Sequence, residues 1–222
     1  MSRVLAVAPH PDDETLGCGG ALLRHRAEGD SIHWLIVTEM TPGPGVPAER
    51  LAARRGEIDA VASHYGFNDV HGLGFPTARL DTVPRAELVG RIGEVVRAIG
   101  ADTLYLPFRG DIHSDHAVVF DACAACAKWF RQPTVRRVRV YETPSETEFQ
   151  IAPGMPAFQP NLFIDITPHL DGKIAAMRFY ESEMAEFPFP RSETTIRALA
   201  AFRGGTAGCA AAEAFMTVRE IL

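Results

Sequence analysis

Three observations predict an α/β fold, single-domain and Rossmann-like, doubly wound around a mostly parallel sheet with helices on both faces. Short apolar runs alternate with longer helical segments four times at regular spacing. The first run is apolar at every position, as expected for a parallel strand covered on both faces. Acidic and imidazole side chains gather just after the first and fourth runs, at the strand ends where such sheets bind ligands. The 222 residues suffice for one full hydrophobic core. No linker, repeat or shift in composition divides them, so residues 1–222 are expected to form one domain.

In chain order, residues 4–8 read as the first strand and 16–28 as a helix ended by Gly29. Residues 32–38 form the second strand, and 40–46, with Pro42, Gly43, Pro44 and Gly45, a loop at its end. A long helix at 48–65 is closed by Gly66 and followed by a short strand at 70–73. After Pro84 come a helix at 86–99, ended by Gly100, and a fourth strand at 103–106. A polar loop leads into a helix at 114–130. Residues 135–141 read as a fifth strand with Arg136, Arg137 and Arg139 facing outward. The aperiodic, proline-containing stretch 142–160 reads as a long loop of the kind that shapes binding sites. A strand at 162–166, a mostly helical segment at 170–187 and an Ala-rich helical tail at 194–222, broken at Gly204-Gly205 and Gly208, complete the expectation.

Composition narrows the function classes. Net charge is −6, and no run of Lys or Arg forms a footprint for a phosphate backbone, so no nucleic-acid partner is expected. No apolar stretch approaches the roughly 20 residues that span a bilayer, and the opening apolar run is too short for a signal peptide. The expected location is cytoplasmic. Cys123 and Cys126 have the spacing of a redox or zinc pair, but they lie in an Ala-rich helical stretch with no second such pair. They read as two small buried thiols one helical turn apart.

The chemistry is concentrated in His10-Pro11-Asp12-Asp13-Glu14, between the first strand and a Gly-rich helix start. Desolvating an imidazole and three carboxylates together is costly without a counter-charge, and a divalent cation supplies one. Complementing a helix dipole would need one or two of these carboxylates and leaves His10 without a role. The loop after the fourth strand carries His113-Ser114-Asp115-His116. If the first and fourth strands are neighbours, in the common 3-2-1-4 order, His10 and Asp13 meet His116 across the switch point. Two imidazoles and a carboxylate with an open fourth position make a catalytic Zn²⁺ set, which other divalent transition metals such as iron or cobalt also tolerate.

These two boxes resemble the paired signatures of the LmbE-like, PIG-L-type zinc-dependent de-N-acetylases. The likeness continues through Arg54-Arg55-Gly56-Glu57, Tyr180-Glu181-Ser182-Glu183, Arg203-Gly204 and Ala212-Glu213-Ala214-Phe215, touching nearly the whole chain. It implies that His10, Asp13 and His116 bind Zn²⁺, that Asp12 is the general base, and that His113 is the electrophilic or acid partner oriented by Asp115. General chemistry agrees: zinc acidifies water, Asp12 can take its proton, and a protonated His113 held by Asp115 can stabilise an oxyanion. Arg54 matches a family arginine near the substrate, or forms a helix salt bridge to Glu57. Arg109 is a second candidate for gripping a sugar hydroxyl or carboxylate. Arg203 reads as a structural partner for a helix carboxyl end. Tyr180 and Glu183 stand where relatives acting on thiol-linked glucosaminides carry His and Gln, pointing to other glycans or natural products.

The expected function is hydrolytic removal of an N-acetyl or other N-acyl group from an N-acetylglucosamine-type amino sugar or glycoconjugate, a small-molecule substrate. The alternatives are a deacylase of a lipid-linked or natural-product amino sugar and a metal-dependent sugar-binding or regulatory module without catalysis. A nucleotide-binding role is disfavoured, because Gly17-Cys18-Gly19-Gly20 lacks the GxGxxG spacing and the acidic box would repel a pyrophosphate.

Overall fold

The computed structural model describes residues 1–43, 46–151 and 154–222. One seven-stranded sheet runs through it, in the order β3-β2-β1-β4-β5-β7-β6. Its strands are β1 (Arg3–Ala8), β2 (Ser31–Glu39), β3 (Asp69–Pro76), β4 (Thr103–Pro107), β5 (Arg137–Tyr141), β6 (Leu162–Asp165) and β7 (Ala212–Glu220). The helices are α1 (Asp13–Ala27), α2 (Ala48–Tyr65), α3 (Arg85–Ile99), α4 (Ser114–Cys126), α5 (Leu170–Met177) and α6 (Glu193–Ala207). β1 to β5 pair in parallel, whereas β7 runs antiparallel to both β5 and β6.

Both faces of β1 are covered, as its unbroken apolar run predicts. Val4, Ala6 and Ala8 join a core with Trp34, Tyr105 and α1, while Leu5 and Val7 join a second core with Leu88 and Ile92 of α3 and Val119 of α4. β1 lies between β2 and β4, the 3-2-1-4 order that brings the two sequence boxes to one switch point. The Cys123 and Cys126 thiols are buried and free, as expected.

The glycines of α1 let the helix lie close against the sheet. A Cβ on Gly17 would overlap the Tyr141 ring, whose hydroxyl donates to the Val7 carbonyl at 2.8 Å. Cys18 leaves helical geometry at φ −142°, and the Glu213 carboxylate fills the break by accepting the Gly20 and Ala21 N–H groups at 2.9 and 2.7 Å. Lys173 Nζ closes this buried junction, donating to Glu213 at 2.6 Å and to the Leu16 carbonyl at 2.8 Å.

Three expectations are corrected. The tail is helical only to Ala207, where Gly208 caps α6 at φ +76°, and Ala212–Glu220 becomes β7. Its alanines suggested helix, but the exposed edge of β5 and the β-formers Phe215, Thr217 and Val218 decide the outcome. α5 ends at Met177 rather than 187, leaving a short 3₁₀ turn at Glu181–Glu183, and α4 ends at Cys126 rather than 130. The expected loop at 40–46 closes on a Gly43–Val46 bridge, and Pro44 and Gly45 lie outside the described residues, as do Ala152 and Pro153 of the long loop.

Candidate metal centre and active site

The turn from β1 into α1 is tied down from both sides. Thr38 donates to the Pro9 carbonyl through its N–H at 3.0 Å and its hydroxyl at 2.8 Å, and the His10 N–H donates to Asp13 Oδ2 at 2.8 Å. Between them Asp12 adopts φ 131°, a conformation that a non-glycine residue holds only where its surroundings impose it. Glu14, expected among the ligand-type side chains, turns away from the cluster. Its carboxylate accepts hydrogen bonds from Thr15 and Tyr180 hydroxyls at 2.6 and 2.9 Å and from the Asp12 N–H at 3.1 Å. Burial pushes its carboxyl up to about 7.

His10, Asp13 and His116 converge. Asp13 Oδ2 lies 3.3 Å from His10 Nδ1 and 3.4 Å from His116 Nε2. Metal–ligand distances near 2.0–2.1 Å in a tetrahedral shell separate neighbouring ligand atoms by about 3.4 Å. The spacing therefore fits a zinc-sized cation. His116 Nε2 is buried and has no hydrogen-bond partner among the described residues, an orphaned lone pair that such an ion would satisfy. Each imidazole is oriented from behind by a carboxylate: His10 Nε2 meets Asp115 Oδ2 at 3.1 Å, and His116 Nδ1 meets Asp111 Oδ2 at 2.8 Å. That outer arrangement fixes tautomer and ring orientation in metal sites. The Thr147 hydroxyl in turn holds Asp111 at 2.6 Å.

Electrostatics divide the two aspartates. For Asp13, burial raises the carboxyl, but His116 and His10 overcome it and hold the group well below the usual carboxylate range. For Asp12, burial together with the Asp13 and Glu183 carboxylates pushes it well above that range. Burial opposes the charge on His10, yet the bonds to Asp115 and Asp13 bring its imidazole up to about 9.

Asp115 and His113 do not pair as expected. The Asp115 carboxylate faces His10 and accepts the Ala78 and Leu80 N–H groups at 2.7 and 3.2 Å; only its backbone N–H reaches His113, donating to Nδ1 at 3.2 Å. Burial, followed by His10 and His116, lowers His113 to about 4, so the imidazole is neutral rather than charged. Because Nδ1 accepts, the remaining ring proton sits on Nε2.

His10, Asp12, Asp13 and His113 line one cavity of about 220 Å³, with Arg54, Glu183, Arg191 and Glu146 among its walls. Arg54 forms the expected helix salt bridge, pairing with Glu57 at 3.3 Å, and also pairs with Glu183 on the cavity rim. Arg109 does not belong to the site. Its half-exposed guanidinium pairs with Asp121 on α4 at 2.7 Å, because the loop carries it onto the outer face of that helix. Among the described residues Arg203 likewise binds no helix end; it grips Glu142 bidentately at 2.8 and 2.6 Å. Two residues not singled out from the sequence take part. Asp111 supports His116, and Arg191 spans Glu183 and the Ser145 hydroxyl, each at 2.9 Å. Asp111 lies two residues before the second box, a hint of ligand support, whereas nothing local marks Arg191.

Fold and site together define a doubly wound α/β protein with a candidate His₂Asp metal centre at its switch point. The GlcNAc-PI de-N-acetylase family, PIG-L, matches residues 5–127, more than half of the chain, and the chain belongs to it. Diacetylchitobiose deacetylase of Thermococcus kodakarensis is 25% identical over 230 residues, covering 100% of this chain and 85% of the relative. The 1D-myo-inositol 2-acetamido-2-deoxy-alpha-D-glucopyranoside deacetylase of Mycobacteroides abscessus is 26% identical, covering 82% and 81%. Among solved structures, the conserved protein TT1542 of Thermus thermophilus superposes with a TM-score of 0.78 at 27% identity, covering 100% of this chain and 97% of that one. No helix among the described residues is long and apolar enough to cross a membrane.

Proposed function

We propose that this chain is a zinc-dependent hydrolase that removes the acetyl group from an N-acetylglucosamine-type amino sugar or its glycoconjugate. The observation that carries this reading is the convergence of His10, Asp13 and His116 at the wall of a cavity that His10 and Asp13 line together with a second carboxylate, Asp12. Deacetylation of amino sugars is the activity named for both relatives above. A cytoplasmic location belongs to the same proposal.

His10, Asp13 and His116 would hold the zinc, which supplies Lewis-acid polarisation of the amide carbonyl and acidification of water. Asp12, made more basic by burial, takes the proton from the attacking water and returns it to the leaving amine. Its strained backbone holds the carboxylate in the cavity beside Asp13. His113 donates its Nε2 proton to the carbonyl oxygen as negative charge develops there, working as a neutral donor. Asp115 and Asp111 act through His10 and His116 as positioning residues. Arg54, already bridging the Pro11 carbonyl and Glu183, offers donors to sugar hydroxyls at the rim.

The test is amine release from a panel of N-acetylglucosamine conjugates by zinc-loaded protein. Release by the wild type and loss of release in Asp12→Asn with zinc retained support the reading. Zinc bound normally with no release from N-acetylglucosamine, N,N'-diacetylchitobiose or an N-acetylglucosaminyl inositol counts against it.

A further inference from the structure

A second cluster of ligand-type side chains sits where the parallel strands begin, whereas the catalytic cavity lies at their carboxyl ends. In the β2–β3 register His33 stands opposite Asp69, and His71 stands opposite Leu35, two residues further along. The period-two alternation of strands puts all three on one face of the sheet, at its edge. His33 Nδ1 lies 3.2 Å from Asp69 Oδ2, and one ligand atom from each of the three residues lies within 4.8 Å of the others.

We infer that His33, Asp69 and His71 form a second site for a divalent transition metal of the zinc, cobalt or nickel kind, clamping the edge strand β3 to β2. What points to a ligand is the state of the imidazole nitrogens. His33 is only 7% exposed, and its Nδ1, aimed at Asp69, has no hydrogen-bond partner among the described residues. His71 Nε2 is also buried and has none. Buried polar atoms are normally satisfied, so a His71 Nε2 without a partner beside a His33 Nδ1 that faces Asp69 without a well-formed hydrogen bond is unusual. The 3.2 Å separation is close to the roughly 3.4 Å expected between tetrahedral zinc ligands. The group His25, Glu28 and Asp30 provides the contrast. There both imidazole nitrogens are already taken, by Asp30 at 2.8 Å and the Tyr105 hydroxyl at 3.0 Å. Asp69, with a side chain 61% exposed, leaves the site an opening to solvent and supplies negative charge against Arg3, which acts on His33 from the neighbouring strand.

The experiment strips the full chain with chelator, reloads it by dialysis against Zn²⁺, and counts bound zinc by mass spectrometry. Wild type should hold two equivalents, His116→Ala one, His71→Gln one, and the double variant none. Zinc should raise the Tm of His116→Ala but not that of the double variant, and turnover of zinc-loaded His71→Gln should stay within twofold of wild type. A wild type with a single equivalent that disappears in His116→Ala overturns the proposal. So does a second equivalent that survives both His71→Gln and Asp69→Asn. If His71→Gln does not fold, the ¹⁵N resonance of His33 Nδ1 in the His116→Ala background decides: a shift on zinc addition supports the site, and no shift removes it.

Discussion

The two adjacent aspartates face the same cavity with opposite charge preferences. Asp13 is kept ionised by two imidazoles, whereas burial, together with the Asp13 and Glu183 carboxylates, raises the proton affinity of Asp12. In the proposed mechanism the two environments, rather than residue type, separate a metal ligand from a base. Asp12→Asn should keep its zinc and lose roughly 10²- to 10⁴-fold in kcat, read by amine release alongside metal content. Zinc binding should also depend on pH with a definite sign. In the metal-free site His10 holds its proton up to about 9, and zinc must displace that proton. Against its burial, His116 is likewise raised well above the ordinary imidazole range by Asp13 and Asp111, so apparent zinc affinity should climb from pH 6 through about pH 9, with proton release measurable by calorimetry in buffers of different ionisation enthalpy. Asp111→Ala, which leaves His116 Nδ1 without its carboxylate, should weaken zinc binding roughly 10- to 100-fold without abolishing folding. Asp111 and the true target of Asp115 escaped the sequence reading for one reason. Adjacency suggested His113 for Asp115, but the turn into α4 directs its carboxylate across the switch point to His10.

At the level of elements, α1 carries the site and is itself held by distant parts of the chain. Its break at Cys18 is stabilised by Glu213 from β7 and Lys173 from α5, both buried. Removing the ammonium with Lys173→Met leaves a buried carboxylate uncompensated and should cost about 3–5 kcal/mol, read as a lower denaturant midpoint at unchanged m-value. The strands and helices through β4 were legible because the apolar runs and glycine stops lie at or near real boundaries, as at Gly66 and Gly100, both in left-handed caps. β7 was not. Its alanines favour helix locally, and only the unpaired edges of β5 and β6 turn the segment into a strand. Arg191 was equally silent, since its partners Glu183 and Ser145 come together only after the chain has folded.

For the whole molecule, one topological fact creates the site: β1 and β4 are neighbours, so the box that starts at His10 and the box that starts at His113 meet at one cavity. The strand order was readable because alternating strands and helices leave few ways to wind a parallel sheet. The specificity of the cavity was less readable, because its rim is assembled from α2, the long loop and the turn before α6. The central claim is that the His10, Asp13 and His116 centre drives amide hydrolysis. Titrating zinc into chelator-stripped wild type and His116→Ala while following amine release from N,N'-diacetylchitobiose tests it most directly. The account predicts that wild-type activity rises with zinc occupancy of this centre and that His116→Ala stays inactive at every zinc concentration. Full activity in stripped protein, or in His116→Ala, would contradict it.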